Sequence, residues 1–136
     1  MPEHSFSEPS ALSDAQVMDA VALQRANRMH EAVAAYKVAL EQDPDNAYAL
    51  SNYGGLLCAL GEFQTAKPLL ARAVRIKPDM PDAWSNFGNV LFELQDYNAA
   101  IDAYKQCLTL QPQHALALSN LGVALDCQGR HELALN

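Results

Sequence analysis

Three Ser-Asn pairs are the residues of this sequence best suited to binding chemistry. They are Ser51-Asn52, Ser85-Asn86 and Ser119-Asn120, and each pair begins 34 residues after the one before it. An asparagine side chain carries both a carbonyl acceptor and an amide donor, so it can pair with the N–H and the C=O of one peptide unit. A row of such side chains could hold an extended peptide by its backbone. The same amides could instead bond only within their own 34-residue segment, and the sequence leaves both alternatives open.

The other reactive residues form no catalytic or metal-binding pattern. Carboxylates such as Glu41, Glu62 and Asp102 are scattered along the chain, which is typical of solvated surface charge. The histidines and cysteines form no HExxH motif and no Cys/His cluster. Glycine-rich phosphate loops and the GxSxG nucleophile motif do not occur either. We therefore expect no enzyme activity, no metal and no cofactor.

Composition and charge exclude several classes of partner. The 136 residues are 50% hydrophobic, with 9 Lys and Arg against 16 Asp and Glu and a formal net charge of −7. A nucleic-acid surface needs clustered basic residues, so we expect no nucleic-acid partner. No apolar run approaches the roughly 18–20 residues that span a bilayer, and the N-terminal segment lacks the features of a signal peptide. We therefore expect no membrane association, a cytoplasmic location and cysteines that remain free thiols.

The spacing of the Ser-Asn pairs extends to other residue types. Prolines, alanines and leucines recur with the same step of 34, at Pro44, Pro78 and Pro112, at Ala32, Ala66, Ala100 and Ala134, and at Leu23, Leu57, Leu91 and Leu125. A fixed step of this kind indicates a chain built from stacked copies of one structural unit. Within the copies, apolar residues follow one another at three- and four-residue steps, as in Trp84, Phe87 and Leu91, which is the pattern of an amphipathic helix.

The segment from Ser13 to Asn136 resembles the tetratricopeptide repeat (TPR) family, whose repeats follow a W-x2-L-G-x2-Y…A-x3-F…P pattern. The copy that matches best places on this pattern Trp84, Phe87, Gly88, Leu91, Ala100, Tyr104 and Pro112. The resemblance implies an all-α fold, a right-handed solenoid of antiparallel helix pairs. We place three full repeats at 13–46, 47–80 and 81–114, a partial fourth at 115–136, and a flexible N-terminal leader at 1–12.

Each repeat is predicted to hold two helices. We expect first helices at 47–60, 81–94 and 115–128, and second helices at 29–42, 63–76 and 97–110. Gly61 and Gly129 are expected to end first helices as C-terminal caps, because glycine adopts the left-handed backbone of that position. Three further glycines fall inside first helices, where glycine costs about 1 kcal/mol against alanine and indicates close approach of the paired helix: Gly54, Gly88 and Gly122.

In TPR proteins the first helices of successive repeats line a concave face, and the resemblance implies a peptide-binding groove there. Carrying the family's positions across gives the candidate peptide-binding residues Asn52, Asn86, Asn120, Ser51, Ser85, Ser119, Tyr48, Asn89, Phe92 and Leu116. Three of them, Phe92, Tyr48 and Leu116, would offer apolar pockets for side chains of the peptide.

Charges at the groove positions restrict which classes of peptide could bind. Asp82, Glu93 and Asp126 lie among these positions and would favour neutral or basic peptides. TPR co-chaperones that grip the acidic C-termini of heat-shock chaperones use Lys and Arg as a clamp for two carboxylates. The matching positions of this chain hold Ser51, Gly55, Leu116 and Asn120 instead. A partner of that class is therefore not expected.

The resemblance implies a protein-protein interaction scaffold that binds a peptide segment of a partner protein. A second interpretation comes from Ala117-Leu118-Ser119-Asn120-Leu121-Gly122, which is similar to the repeats of O-linked N-acetylglucosamine transferases, whose asparagine ladder holds substrate backbones. The chain would then be the substrate-recruiting portion of a larger glycosyltransferase-type enzyme. A structural or self-assembly spacer is the third interpretation.

The fourth repeat is incomplete after Gln128. His131 stands where the family pattern has an aromatic residue, and we expect it to pack as one. Because the second helix of this repeat is incomplete, the apolar side of 117–125 would be partly uncovered. An uncovered apolar side predicts a partner, a homo-oligomer through this end, or a longer natural protein.

Overall fold

The computed structural model describes the backbone of residues 2–135 and the side chains of residues 10–134. Within this range the chain forms seven α-helices and no strand. In chain order they are α1 (Pro2–Arg25), α2 (Met29–Gln42), α3 (Ala47–Ala59), α4 (Phe63–Ile76), α5 (Pro81–Glu93), α6 (Tyr97–Leu110) and α7 (Ala115–Leu135). None of them is both long and apolar enough to cross a membrane.

The helices stack as pairs. α1 packs on α2, α3 on α4 and α5 on α6, and the first helices α1, α3, α5 and α7 lie side by side along one wall. The prediction of an all-α solenoid of helix pairs is confirmed. The second helices α2, α4 and α6 begin and end at the predicted residues, and α3 and α5 end one residue earlier than predicted.

A left-handed residue follows each of the first three first helices. Asn27, Gly61 and Gln95 have φ angles of 61°, 82° and 65°, and they are spaced 34 residues apart. The predicted cap at Gly61 is confirmed. The two equivalent caps, Asn27 and Gln95, could not be predicted from the positions of glycines, because Asn and Gln adopt the same backbone conformation at a steric cost.

The predicted cap at Gly129 is wrong. α7 continues through Gly129 to Leu135 as one unbroken helix. A turn here would have to be held by a second helix of the same repeat folding back on α7, and no such helix lies among the described residues. The local helix therefore continues. His131 does lie against an aromatic ring, edge-on to Tyr97 with the ring centroids 6.0 Å apart.

α1 begins at Pro2, so residues 2–12, which the sequence analysis assigned to a leader, form the first turns of this helix. A buried polar cluster fixes α1 to the next two helices. The hydroxyl of Ser13 donates to the carbonyl of Ala39 (2.7 Å), and Asn46 Nδ2 donates to Ser13 Oγ and to Asp14 Oδ1 (2.8 Å each). Asn46 also caps α3, since its Oδ1 accepts from the N–H of Ala49 (3.1 Å). Asn46 therefore links the start of α3 to the middle of α1, and Ser13 links α1 to α2.

Close packing within the pairs depends on glycine. A methyl group on Gly54 would lie 2.5 Å from Leu70 Cγ, and one on Gly88 would lie 2.6 Å from Tyr104 Cε1. The predicted close approach is confirmed at both positions. At Gly122, by contrast, no described atom would lie within 4 Å of the added methyl group.

Candidate functional site

A cavity of about 540 Å³ opens between the first helices α3, α5 and α7. Its walls carry the side chains of Asn86, Asn89, Phe92, Glu93 and Asn120, with Gly55 at its base. We call it the amide cavity. Four of the predicted site residues meet here, because Asn86 and Asn89 are one helical turn apart on α5 and Asn120 projects from the neighbouring helix.

Hydrogen bonds hold these amides in fixed orientations. Asn89 Oδ1 accepts from the hydroxyl of Tyr104 (2.6 Å) and from Asn120 Nδ2 (2.9 Å). Asn86 Nδ2 donates a longer bond to the carbonyl of Ser51 (3.4 Å). The two bonds donated by Asn86 and Asn120 join neighbouring repeats. Each bond uses only the Nδ2 atom of the side chain that donates it.

Other polar atoms of the same side chains remain unpaired within the described part of the chain. They are Asn89 Nδ2, a donor, and the Oδ1 atoms of Asn86 and Asn120, both acceptors. The three asparagines therefore offer two unpaired carbonyl acceptors, one wholly unpaired amide nitrogen, and the second N–H of Asn86 Nδ2 and of Asn120 Nδ2. This set is complementary to the alternating N–H and C=O groups of an extended peptide.

Tyr104 is a site residue that the sequence analysis missed. It was identified only as part of the repeat pattern, and its ring is 1% exposed. Because Gly88 has no side chain, the ring packs directly on α5 and its hydroxyl reaches Asn89. The 16-residue separation of Gly88 and Tyr104 is the signal that could have revealed this contact.

Asn52 and Tyr48 line a second cavity, of about 510 Å³, between α1 and α3. Its other walls are mainly the apolar residues Val17, Met18 and Val21 of α1. We call it the apolar cavity. None of the site residues proposed from the sequence lies on α1. Asn52 is thus separated from the asparagines of the amide cavity.

The remaining predicted residues lie outside both cavities. Ser51 and Ser85 are each 4% exposed, so their hydroxyls face the interior. Ser119 and Leu116 are exposed on α7, with Leu116 at 68%. The Ser-Asn pairs therefore do not act as units, since only the asparagine of each pair faces a cavity.

Glu93 is the only carboxylate lining the amide cavity among the described residues. The other two predicted acids are held elsewhere, Asp82 by His114 Nε2 (2.9 Å) and Asp126 by Arg130 (3.2 Å). Burial raises the pKa of the Cys58 thiol, and the negative charge of Glu93 raises it further. Cys58 therefore stays a neutral thiol near neutral pH, and the cavity is built for hydrogen bonding rather than for nucleophilic chemistry.

Solved structures with the same fold include several TPR domains. The Arabidopsis OM64 TPR domain superposes with a TM-score of 0.80 at 22% identity, covering 85% of this chain and 96% of that chain. The first TPR domain of Spaghetti (RPAP3), bound to the HSP90 peptide SRMEEVD, gives 0.83 at 22% identity, covering 88% and 95%. A Thermobaculum terrenum O-GlcNAc transferase mutant gives 0.81 at 31% identity, covering 87% of this chain but 23% of the enzyme.

Two repeat models match consecutive segments of the sequence. A model described as tetratricopeptide repeat matches residues 23–86, and one described as TPR repeat matches residues 88–129. A comparison with curated proteins gave no match. The matched segments together span most of the chain, from the end of α1 into α7. The chain belongs to the tetratricopeptide repeat family.

Proposed function

We propose that this chain is a non-catalytic interaction scaffold that holds a peptide segment of a partner protein in the amide cavity. The fold supports this, because TPR repeats are generally interaction modules and one structure with this fold is a peptide complex. The observation that carries the proposal is the set of oriented, partly unpaired amides of Asn86, Asn89 and Asn120.

The proposed contacts are to the peptide backbone. Asn89 Nδ2 would donate to a peptide carbonyl, and the Oδ1 atoms of Asn86 and Asn120 would accept from peptide N–H groups. Because these contacts do not involve the side chains of the peptide, we expect the chain to bind peptides of many different sequences. We expect a modest affinity, about micromolar, as for short peptides that lose chain entropy on binding. Phe92 would contact an apolar side chain of the peptide.

The charge of the amide cavity should determine which peptides it prefers. Glu93 lines the cavity, and Ser51, Gly55, Leu116 and Asn120 occupy the positions where a two-carboxylate clamp would need cations. We therefore propose a neutral or basic peptide. An acidic peptide such as the one bound to the Spaghetti (RPAP3) domain should bind poorly.

Selection from a random peptide library tests this assignment. Val123 lines the cavity, is 49% exposed, and makes no hydrogen bond through its side chain, so Val123→Arg should fill the cavity without unfolding the chain. Leu110→Arg is a matched control on α6, where the side chain is 41% exposed. Peptides should be recovered by the wild type and the control but not by Val123→Arg. Equal recovery by all three would place binding elsewhere.

A second candidate function is substrate recruitment by a larger glycosyltransferase-type enzyme. The observation that favours it is the 31% identity to the Thermobaculum terrenum O-GlcNAc transferase mutant, of which this chain spans 23%. A glycosyltransferase domain encoded in the same gene would support this candidate, and further repeats would support the scaffold. A structural spacer, the third interpretation, predicts that Val123→Arg changes the binding of no partner protein.

We also propose a cytoplasmic location, where the free Cys58, Cys107 and Cys127 would stay reduced.

A further inference from the structure

The first turn of α7 is capped by a histidine. His114 lies directly before this helix, and its Nδ1 accepts from the backbone N–H of Ala117 (3.1 Å). The other ring nitrogen, Nε2, lies 2.9 Å from Asp82 Oδ1 on α5. The side chain of His114 is only 10% exposed. The ring therefore does the work of an N-terminal cap and also ties the start of α7 to α5.

The same arrangement occurs two repeats earlier with an asparagine in place of the histidine. Asn46 lies directly before α3, its Oδ1 accepts from the N–H of Ala49 (3.1 Å), and its Nδ2 donates to Asp14 Oδ1 (2.8 Å). These three residues lie 68 positions before His114, Ala117 and Asp82, respectively. The two nitrogens of His114 thus replace the two polar atoms of an amide, with the difference that an imidazole can titrate.

The two bonds of His114 determine where its proton lies. A backbone N–H can only donate, so Nδ1 must carry no proton in order to accept from Ala117. A neutral imidazole then has its proton on Nε2, which donates to the carboxylate of Asp82. A second proton, on Nδ1, would place two donors 3.1 Å apart. The cap therefore forms only while the ring is neutral.

The surroundings of the ring act on its charge in opposite directions. Asp82 favours the imidazolium, whereas burial and the positive end of the α7 dipole oppose it. Cys107 of α6 is a neutral thiol, because burial and the charge of Asp82 raise its pKa. On α7 the first charged side chain is Asp126, and residues 111–113 carry none. Other charged side chains near this end of α5 and α6 form no hydrogen bond or ion pair with the ring among the described residues: Lys77, Asp79 and Lys105.

We propose that the N-terminal cap of α7 is pH-sensitive: it forms while His114 is neutral and is lost when the ring takes up a second proton. The capped state binds one proton fewer than the uncapped state, so a falling pH favours the uncapped state. Histidine is the side chain whose charge ordinarily changes between about pH 5 and 8. Mild acid therefore frays the first turn of α7, whereas α3 keeps the cap of Asn46, because an amide does not titrate in this range.

Nuclear magnetic resonance of the free chain tests this proposal. At about pH 8, a spectrum that correlates ring protons with ring nitrogens shows Nε2 with a proton and Nδ1 without one. At the same pH the N–H of Ala117 exchanges with solvent more slowly than an unstructured amide does. This protection, measured relative to an unstructured amide at each pH, falls about fivefold by about pH 5 as the cap is lost.

Two variants and a control separate the cap from other effects of acid. His114→Asn introduces the residue that caps α3, so the protection of Ala117 no longer depends on pH. Asp82→Asn removes the charge that favours the imidazolium, so the loss of protection moves to lower pH. His30→Asn replaces an exposed histidine on α2 and keeps the wild-type response.

Several results would overturn the proposal. One is a proton on Nδ1 of His114 at about pH 8. Another is a protection of Ala117 in the wild type that does not change with pH, and a third is an equal loss of protection in His114→Asn. A loss that moves to higher pH in Asp82→Asn contradicts the role given to that carboxylate. Circular dichroism at both pH values shows that each chain remains helical.

Discussion

At the scale of single residues, one oxygen organises the amide cavity. Asn89 Oδ1 accepts from both Tyr104 (2.6 Å) and Asn120 (2.9 Å), which leaves the amide nitrogen of Asn89 and the oxygen of Asn120 unpaired within the described part of the chain. Amides that are already oriented lose less side-chain entropy on binding than mobile ones. Tyr104 is therefore a positioning residue for the site.

Cys58 reports on the charge of the cavity. Its thiol pKa is raised by burial and by Glu93, so alkylation by iodoacetamide at pH 8 should be slower than for a free thiol and should accelerate at higher pH. Glu93→Gln removes the negative charge, lowers the pKa and should speed alkylation about two- to fivefold. Mass spectrometry of the Cys58 peptide gives the rate. Glu132→Gln, an exposed acid on α7 outside the cavity lining, is the control, and an equal acceleration by it would contradict the assignment.

The left-handed backbone at Gln95 predicts a stabilising substitution. Its φ angle is 65°, a region that costs a non-glycine residue about 1 kcal/mol or more. Gln95→Gly should therefore raise the free energy of unfolding by about 0.5 kcal/mol, part of the gain being offset by the flexibility of glycine in the unfolded chain. Gln106→Gly, inside α6, should lower it by about 1 kcal/mol. Urea denaturation measures both, and destabilisation by Gln95→Gly would contradict the observed backbone.

Sequence reasoning identified the asparagines of the site but not their surroundings. The identity of Asn86, Asn89 and Asn120 as groove positions followed from the repeat. Their partner Tyr104 did not, because a hydroxyl that crosses from a second helix is visible only in three dimensions. The burial of Ser51 and Ser85 was hidden for the same reason: adjacent residues on a helix point in different directions.

At the scale of elements, glycine allows the close packing of two helix pairs, α3 with α4 and α5 with α6. The helices α2 to α6 could be placed almost to the residue because the residue types that form these pairs recur with a step of 34 residues. The failure at Gly129 has a different cause. Among the described residues no second helix of the same repeat follows α7 and packs on it, so nothing holds a turn there and the helix continues.

Alanine at two equivalent glycines should have opposite effects. A methyl group on Gly88 would lie 2.6 Å from Tyr104, so overpacking of about 1–3 kcal/mol should exceed the gain of about 1 kcal/mol in helix propensity. Gly88→Ala should therefore destabilise the chain. Gly122→Ala meets no described atom within 4 Å and should stabilise it by about 1 kcal/mol.

Urea denaturation at low protein concentration compares these two variants in the monomer. The prediction is a difference of about 2 kcal/mol between them. Equal effects of the two substitutions would mean that α5 and α6 pack no more tightly at Gly88 than α7 is packed at Gly122.

At the scale of the whole molecule, stability should fall in alkali. Tyr36 is fully buried, donates to Gln24 Oε1 (2.9 Å), and burial raises its pKa from 10.0 to about 12. The stabilisation due to the neutral phenol is complete below pH 10 and is lost as pH rises towards 12. The loss from this residue is about 2 kcal/mol.

Tyr36→Phe provides the matched comparison. It should lower the free energy of unfolding by about 1 kcal/mol near neutral pH, because Gln24 loses a hydrogen bond. It should also make the fall in stability above pH 10 less steep. Thermal unfolding from pH 7 to 11 follows both chains. A wild type and a variant that decline in parallel would show that Tyr36 is not the group responsible.

The most direct test of the central claim is whether a bound peptide is held by its backbone. A library-selected peptide and a series of analogues, each with one N-methylated amide, would be titrated by calorimetry into the wild type, Asn86→Ala/Asn120→Ala and the control Asn98→Ala. Asn98 is an exposed asparagine on α6. We predict that at least one N-methylation weakens binding by about tenfold in the wild type and the control, and has little further effect in the double variant. N-methylated analogues that all bind the wild type as tightly as the parent peptide would contradict backbone recognition by the asparagines.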